Sequence, residues 1–247
     1  KKIENDKWLK KYIFEKLKLY WSPEQIAGRL RRGNTTICHE TIYAYILRHK
    51  KLKKYLRCQK GKYRRRHGTV LREKQREYGK KRWIGERPEV IGKRVRIGDW
   101  EGDTIIGGER TKRILTHVER KTGYVIADFL PVVSAEIVAE KTIDSLKRFP
   151  KRKRRSITYD NGAEFAAHEM IEKKTKADVY FANKYHSWER GTNENTNGLI
   201  RQFFPKKSSF ATVTQEQVGR VVKMLNRRPR KRLNYLTPFE TFHCTSF

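Results

Sequence analysis

The sequence predicts an α+β protein in which a mixed five-stranded sheet forms the main domain and a small helical domain precedes it. Three observations support this prediction. The 247 residues are enough for one domain of moderate size and a smaller one. Residues 1–49 show only the three- and four-residue spacing of apolar side chains that is typical of amphipathic helices. From residue 97 onward, runs rich in β-branched and aromatic residues alternate with helical patterns.

Residues 1–49 predict three short helices joined by tight turns. The first covers residues 6–20, and Ser22 starts the second with the capping-box sequence SPEQ. The third covers residues 39–49 and follows a turn that contains Gly33. Three helices with a glycine-containing turn before the last one match a helix-turn-helix, whose final helix enters the major groove of DNA.

The N-terminal residues of the third helix are the candidates for contacting base edges. Ile42 and Ile46 would face the helical core, which leaves His39, Glu40 and Tyr43 directed outward. An ordinary three-helix bundle without a DNA-reading role is the alternative. The strongly basic context favours the helix-turn-helix, so we predict a DNA-binding domain in this first part of the chain.

The charge of the chain indicates a polyanionic partner. There are 59 lysines and arginines against 27 aspartates and glutamates, a formal net charge of +32. Such a charge repels itself unless phosphates or counter-ions neutralise it, which favours duplex DNA over a small acidic metabolite or a membrane surface. No apolar run of bilayer length and no signal-peptide pattern occurs, so we expect a cytoplasmic protein without a membrane partner. The three cysteines have neither zinc-finger spacing nor the pattern of a disulfide framework.

A basic linker is predicted over residues 50–96. Its first part, residues 50–66, holds ten lysines and arginines and no acidic residue. Like charges keep such a run extended until phosphates neutralise it, so we expect it to follow DNA and to order on binding; a solvated tail is the alternative. Residues 70–97 mix helix formers with Gly and Pro, which favours a linker helix and then an irregular segment. The candidates for phosphate contacts in this linker are Arg64, Arg65 and Arg66.

The main domain is predicted over residues 97–247. Its first three strands form an antiparallel meander, and two further short strands alternate with helices. The order of elements, βββαβαβαα, is that of a ribonuclease H-like core. The predicted strands are residues 100–106, 114–120, 124–132, 157–160 and 179–182, and the first helix of this domain is residues 134–149.

Three carboxylates are predicted to meet at one edge of this sheet. Asp103 interrupts the apolar first strand, where a buried carboxylate needs a cationic partner. Asp160 ends the fourth strand, which lies beside the first in this topology. Glu194 lies on a helix whose polar side also carries Asn197 and Arg201, both candidates for contacts with DNA. Each acid alone is a weak signal, but the three with this strand order are a strong one.

The chemistry that suits such a group is phosphodiester cleavage. Oxygen ligands in this number suit Mg2+ or Mn2+. Two such ions can clamp a phosphate between the attacking and leaving oxygens. The sequence therefore predicts a metal-dependent enzyme that acts on nucleic acid.

Three blocks around these residues read GDWEGDTIIG, ITYDNGAEF and YHSWERGTNENTNGLIRQFFPK, and RPRKRLNYLTPFETF follows them. They resemble the catalytic core of bacterial insertion-sequence transposases, specifically the family of insertion sequence 30, which shares its fold with retroviral integrases. The resemblance covers residues 97–242, and the blocks WSPEQIAGRL and HETIYAYI extend it over the helix-turn-helix. Members of this family commonly carry a further DNA-binding region before the point at which this chain starts.

The resemblance implies a DDE triad in which Asp103, Asp160 and Glu194 hold two Mg2+ or Mn2+ ions, with Arg201 as a basic residue directed at DNA. It implies hydrolysis of a strand at the end of a mobile element, and then attack of the freed 3′-OH on a second phosphodiester. No covalent protein intermediate is needed. The implied partners are double-stranded DNA, at the element ends and at the target site, and further copies of the chain in a homodimer or higher multimer.

Two positions depart from the family pattern. Asp99 stands where the family often has His, and Cys38 stands where Ser often caps the recognition helix. Two other functions stay open. A helix-turn-helix regulator without catalysis would not need the carboxylates, and a plain nuclease of the same fold would not need the sequence-reading helices. The presence of both features favours the transposase.

Overall fold

The computed structural model describes residues 2–57, 81–183 and 190–244. These residues form two compact units. The first unit combines residues 2–57 with residues 227–241, and the second contains residues 81–183, 190–226 and 242–244. Residues 227–241 thus belong with the N-terminal helices, although the sequence analysis placed them in the domain that begins at residue 97. Across the described ranges, no helix has both the length and the apolar character needed to cross a bilayer.

The N-terminal part of the first unit is helical, as predicted. Its helices are α1 (Lys2–Asn5), α2 (Lys7–Lys18), α3 (Pro23–Arg32) and α4 (His39–Arg48). Asp6 caps α2 by accepting a 2.9 Å hydrogen bond from the Leu9 amide. Ser22 and Gln25 form the predicted capping box at α3, each side chain accepting from the other residue's backbone amide. Cys38 precedes α4 without a side-chain cap, because a thiol is a poor hydrogen-bond acceptor.

The apolar sides of these helices meet in one core, in which Ile42 and Ile46 are fully buried as predicted. The prediction of an extended linker is wrong for its first residues, since Lys50–Tyr55 forms a short 3-10 helix. Leu52 is buried against the helical core, while most of the lysines around it stay at the surface. Burial of this apolar side chain therefore fixes a segment that charge repulsion alone would leave extended. Arg64, Arg65 and Arg66 lie outside the described residues.

Residues 227–241 pack against α3 within the first unit. They include a 3-10 helix at Lys231–Leu233 and the start of α10 (Pro238–His243). Arg29 donates two hydrogen bonds to the carboxylate of Glu240, at 3.1 and 2.5 Å. The ring of Tyr235 lies so close to Gly28 that a Cβ atom there would meet it at 2.3 Å. Position 28 must therefore be glycine for this packing to exist.

The second unit is built on a mixed five-stranded sheet, as predicted. Its strands are β1 (Asp99–Ile106), β2 (Arg113–Glu119), β3 (Val125–Leu130), β4 (Ser156–Tyr159) and β5 (Asp178–Phe181). Their spatial order is β3-β2-β1-β4-β5. The β1–β2 and β2–β3 pairs are antiparallel, whereas the β1–β4 and β4–β5 pairs are parallel. This arrangement agrees with the predicted ribonuclease H-like core.

Helices cover both faces of this sheet. The helices that cover them are α6 (Ala135–Lys147), α7 (His168–Thr175), α8 (Gly191–Ile200) and α9 (Gln215–Asn226). The short helix α5 (Glu89–Gly92) and a 3-10 helix at Ile84–Glu86 precede the sheet in the chain. The cluster around Trp100 includes side chains of α6 and α7, whereas the cluster around Ile105 includes side chains of α8 and α9. Because side chains alternate along a strand, Glu101, Asp103 and Ile105 share the face that α8 covers.

Candidate active site

The parallel pairing of β1 with β4 places Asp103 beside Asp160. The register pairs Glu101 with Thr158. The same offset, carried two residues further, aligns Asp103 with Asp160, the residue that follows β4. Opposed residues of neighbouring strands point to the same face of a sheet. Both carboxylates are therefore directed to the α8 side of the sheet. The strand order predicted that Asp103 and Asp160 would be neighbours, but not which face they would share.

A single guanidinium joins these two carboxylates. Arg190, at the N-cap of α8, donates from Nη2 to Asp160 Oδ2 at 3.2 Å and holds Nη1 3.8 Å from Asp103 Oδ2. Nη1 also donates to the carbonyl of Gly102 at 3.4 Å, and the buried Nε has no hydrogen-bond partner in the described part of the chain. The exposed fraction of the side chain is 12% for Arg190, 22% for Asp103 and 38% for Asp160. The group is therefore open to solvent on the Asp160 side.

The carboxylate of Asp103 is held in place but poorly hydrated. Its Oδ1 accepts from the Thr104 amide at 2.8 Å, and its Oδ2 accepts from Asn197 Nδ2 at 2.9 Å. Burial raises the pKa of Asp103 to about 6, although the Arg190 guanidinium lowers it, and the nearby Asp160 carboxylate raises it further. At neutral pH this site holds a negative charge that an added cation would stabilise.

A buried acid two residues before Asp103 fixes the start of α8. Glu101 is fully buried, and one of its oxygens accepts a 2.9 Å hydrogen bond from the amide of Asn193. Amides in the first turn of a helix have no partner within the helix, so this bond acts as a cap supplied by the sheet. Arg120, which is 4% exposed, holds Nε 3.0 Å from the other oxygen of Glu101. The pair therefore ties the sheet to the end of α8 that borders the site.

A hydroxyl on β2 completes the contacts beneath the carboxylates. Thr116 is fully buried and lies opposite Asp103 in the β1–β2 register. Its Oγ1 lies 3.2 Å from the Asp103 carbonyl oxygen, 3.3 Å from Asn193 Oδ1 and 3.1 Å from Asn197 Oδ1. The side chain of Asn197, predicted to contact DNA, thus binds Thr116 and Asp103 within the protein. In this structure it orients Asp103.

Glu194 lies on α8 and is exposed. It stands one helical turn before Asn197, and residues three apart share one side of a helix. It is therefore on the side of α8 that contacts Asp103. In the ranges 2–57, 81–183 and 190–244, no three His, Cys, Asp or Glu side chains are grouped closely enough to hold a metal ion. The joint binding of metal by Asp103, Asp160 and Glu194 stays a prediction.

A further carboxylate lies at the same edge of the sheet. Glu164, in the segment after β4, accepts a 2.9 Å hydrogen bond from the Thr104 hydroxyl and pairs with the guanidinium of Arg113. Its charge is one of the smaller causes that raise the pKa of Asp103. Because Glu164 already has a strong cationic partner, its geometry indicates a structural acid at the rim of the site.

The other predicted DNA contacts are placed differently. Arg201, at the end of α8, donates to the Ile106 carbonyl at 2.8 Å and lies within 3.5 Å of two carbonyls in the following turn. Burial lowers the pKa of this guanidinium. Its described hydrogen bonds are thus with the protein backbone, and its guanidinium lies over the Phe210 ring, 6.0 Å from the ring centroid. On α4, His39 and Glu40 are exposed and Tyr43 is 39% exposed, so base contacts by these side chains stay a prediction.

Arg190 and the buried pair of Glu101 with Arg120 were not predicted from the sequence. A signal for Arg190 exists, since it stands four residues before Glu194 and would share its helical side. A signal for Glu101 exists as well. It stands two residues before Asp103, so the two acids must share one face of a strand.

Known proteins resemble this chain over most of its length. The transposase for insertion sequence element IS4351 of Bacteroides fragilis is 45% identical over 95% of this chain and 72% of that protein. Transposase InsI for insertion sequence element IS30A of Escherichia coli (strain K12) is 38% identical over 94% of this chain and 63% of that protein. The transposase for insertion sequence element IS1086 of Cupriavidus metallidurans is 32% identical over 89% of this chain and 68% of that protein. The chain thus spans between 63% and 72% of the length of these relatives. No protein-family model matches it.

Proposed function

This chain belongs to the insertion sequence 30 family of transposases, and from that premise we propose that it binds the ends of a mobile element, cuts a DNA strand there and joins the freed end to target DNA. One observation carries the proposal. Asp103 and Asp160 lie side by side at a solvent-open sheet edge, with the guanidinium of Arg190 between them. Acids that bind a cation, next to a basic group that binds phosphate, are what phosphodiester chemistry requires.

The residues at this edge fit a divalent cation. Asp103 and Asp160 offer oxygen atoms only, the ligand type that Mg2+ and Mn2+ prefer. Burial raises the pKa of Asp103, and a cation in contact would reverse that effect. We propose that these two carboxylates and Glu194 hold two Mg2+ or Mn2+ ions. When bound, the ions would act as Lewis acids on the phosphate and on the attacking oxygen.

The chain's own residues supply position and charge. The guanidinium of Arg190 can bind phosphate oxygens by two parallel hydrogen bonds, so we propose that it holds the phosphate to be cut. Asn197 keeps Asp103 in its orientation, and the Glu101 cap keeps α8 in register with the sheet. The helix-turn-helix of α2 to α4 would recognise the element end, and a homodimer or higher multimer would act on the DNA.

The experiment uses duplexes that cover the DNA flanking the coding sequence, incubated with the chain in Mg2+, in Mn2+ and in chelator. We expect metal-dependent nicking at one position, a 3′-OH at the new end, and joined products when a plasmid is added. The Asp103→Asn variant should bind the duplex and cut nothing. Asp144→Asn, which changes an exposed carboxylate on α6, is the matched control and should cut like the parent.

Each alternative function predicts a different result. A regulator would bind a specific duplex and never cut it in either metal. A plain nuclease would cut without preference for position and would leave no joined product. Cutting that persists in excess chelator, or in Asp103→Asn, would remove the carboxylates from the chemistry and overturn the proposal.

A further inference from the structure

A second concentration of positive charge lies at the other end of β4. Residues 147–155, which connect α6 to this strand, include seven lysines and arginines and no acidic residue. Arg155 directly precedes β4, whereas Asp160 directly follows it. At about 3.3 Å per residue, the strand holds this basic segment roughly 16 Å from the carboxylate edge. The two sites are therefore at opposite ends of the same strand.

Two of the basic side chains anchor the segment to the second unit. Lys153 Nζ donates to the Phe242 carbonyl at 2.6 Å. Arg154 Nη1 donates to the carbonyl of Thr175, the last residue of α7, at 2.8 Å. The second bond brings the segment against the turn between α7 and β5. The exposed basic residues of that turn and of the last turn of α7 are Lys173, Lys174 and Lys176.

Three other basic side chains of this segment are directed to water. Lys147, Lys151 and Arg152 are exposed, and within the described residues none of them forms an ion pair with an acidic side chain. The same holds for the three lysines near α7. The acids nearest to them in sequence, Glu172 and Asp178, are both paired with Arg82. The region therefore presents positive charge that the protein itself does not neutralise.

Local structure explains only part of this charge. Lysines in the last turn of α7 are stabilised by the negative end of the helix dipole. That effect does not extend to Lys151 and Arg152, which lie on a different segment. The basic residues come from two segments, and the hydrogen bond from Arg154 to the Thr175 carbonyl holds these segments together. Such a cluster indicates a surface that binds a negatively charged partner.

We propose that this surface binds the phosphate backbone of duplex DNA without reading its sequence. It comprises Lys147, Lys151, Arg152, Lys173, Lys174 and Lys176. Duplex DNA carries dense negative charge, and each cation that replaces a condensed counter-ion adds to affinity. Because this surface lies at the far end of β4, the phosphates that it holds lie roughly 16 Å from the one being cut, which is about five base pairs along a duplex. The inference rests on the proposed function for its partner and adds a second contact region to it.

The test removes four charges from this surface and compares the salt dependence of DNA binding. The variant carries Lys151→Gln, Arg152→Gln, Lys173→Gln and Lys174→Gln, which leaves the anchors Lys153 and Arg154 intact. The control removes four charges from exposed positions elsewhere in the same unit: Arg94→Gln, Lys141→Gln, Arg220→Gln and Lys223→Gln. Binding of a labelled random-sequence duplex is followed by fluorescence anisotropy at several salt concentrations.

We expect the slope of log affinity against log salt to fall by about 0.9 for each phosphate that the protein no longer neutralises, hence by about 2–4 in the variant. The control should change it by less than about 1. A second variant that keeps the charges, with Lys151→Arg, Lys173→Arg and Lys174→Arg, should retain the parent's slope. Equal slopes in the four-charge variant and its control would overturn the proposal. So would a loss of binding to RNA or to phosphatidylserine vesicles with duplex binding intact.

Cleavage of a short duplex that spans only the cut site separates this inference from the proposed function. The four-charge variant should cut this duplex at the parent's rate, because its changes lie far from the carboxylates. If the parent itself cuts nothing in Mg2+ or Mn2+, the proposed function fails. The slope difference would still decide whether the far surface binds DNA.

Discussion

Glu101 and Asp103 lie two residues apart on the same face of β1, and each pairs with an arginine. The two ion pairs differ in burial, in separation and in the number of partners. Glu101 and Arg120 are 0% and 5% exposed in their side chains and lie 3.0 Å apart. Asp103 and Arg190 are 22% and 12% exposed and lie 3.8 Å apart. The first pair is closed to solvent and also caps a helix. The second is loose, open on one side, and shared with Asp160.

Burial and separation distinguish a structural ion pair from a pair at a functional site. A fully buried pair cannot exchange its partner, because separating the charges leaves one of them in the protein interior. A loose pair whose acid has a raised pKa can exchange its partner for a stronger cation. Asp103 is such an acid, with a pKa raised by burial to about 6.

Glu101→Gln should have the largest effect on stability. The change leaves the guanidinium of Arg120 buried without its charge partner and weakens the cap on α8. We expect the free energy of unfolding to fall by about 3–5 kcal/mol. Chemical denaturation at pH 7.5 without metal measures it.

A double variant checks the cause of that loss. Glu101→Gln combined with Arg120→Met removes both charges and should recover much of the lost stability. If the double variant is as unstable as the single one, the pair is not what Glu101 contributes. Glu101 would then stabilise the protein through a contact other than its ion pair with Arg120.

Asp103→Asn should change the free energy of unfolding by less than Glu101→Gln does, and should raise it. The folded-state pKa of about 6 lies above the ordinary value of 3.8. The group's contribution to stability is therefore complete below about pH 4 and is lost as the pH rises through 6. We expect the metal-free variant to exceed the parent by about 1–2 kcal/mol at pH 7.5, after allowance for partial exposure, and to match it near pH 4. Denaturation curves across that pH range measure the difference.

The opposite outcome would make Asp103 a structural partner. If the variant is less stable than the parent at pH 7.5, Arg190 depends on this carboxylate as Arg120 depends on Glu101. The melting temperature gives a second readout. Mn2+ should raise it in the parent and leave it unchanged in Asp103→Asn.

Arg190→Gln should have the smallest effect in free energy, and we expect it on the binding of Mn2+. If the guanidinium competes with metal for Asp103 and Asp160, its loss should strengthen Mn2+ binding by about two- to fivefold, the effect of a partly exposed ion pair worth up to about 1 kcal/mol. Melting temperatures over a Mn2+ titration give the apparent affinity. Arg220→Gln removes an exposed charge from α9 and is the matched control. Weaker Mn2+ binding in Arg190→Gln would mean that the guanidinium holds the acids in place for the ion.

The predictable part of the structure depends on local signals. The capping box at Ser22, and the runs of β-branched and aromatic residues that predict the strands, are patterns that a few neighbouring residues carry. The meeting of Asp103 with Asp160 was also predictable, since parallel pairing of their strands leaves them aligned. In each case the physical cause lies within one element or in one strand pair.

The rest depends on contacts that no local pattern reveals. Arg190 meets two acids from different strands, and Leu52 orders a lysine-rich segment by packing on a core made by other helices. Arg201 was expected at DNA but turns toward the carbonyl of Ile106. A long basic side chain at a helix C-terminus can hydrogen-bond nearby carbonyls as readily as a phosphate. The sequence alone does not decide between these partners.

The packing of Tyr235 on Gly28 has a consequence for synthesis. These two residues lie roughly 200 positions apart in the chain, yet they belong to one helical unit. At translation rates of about 5–20 residues per second, Gly28 is synthesised about 10–40 seconds before Tyr235. The ribosome therefore starts this unit first and completes it after the whole of the sheet has been made. A nascent chain stopped before residue 227 would carry the complete sheet but an unfinished helical unit.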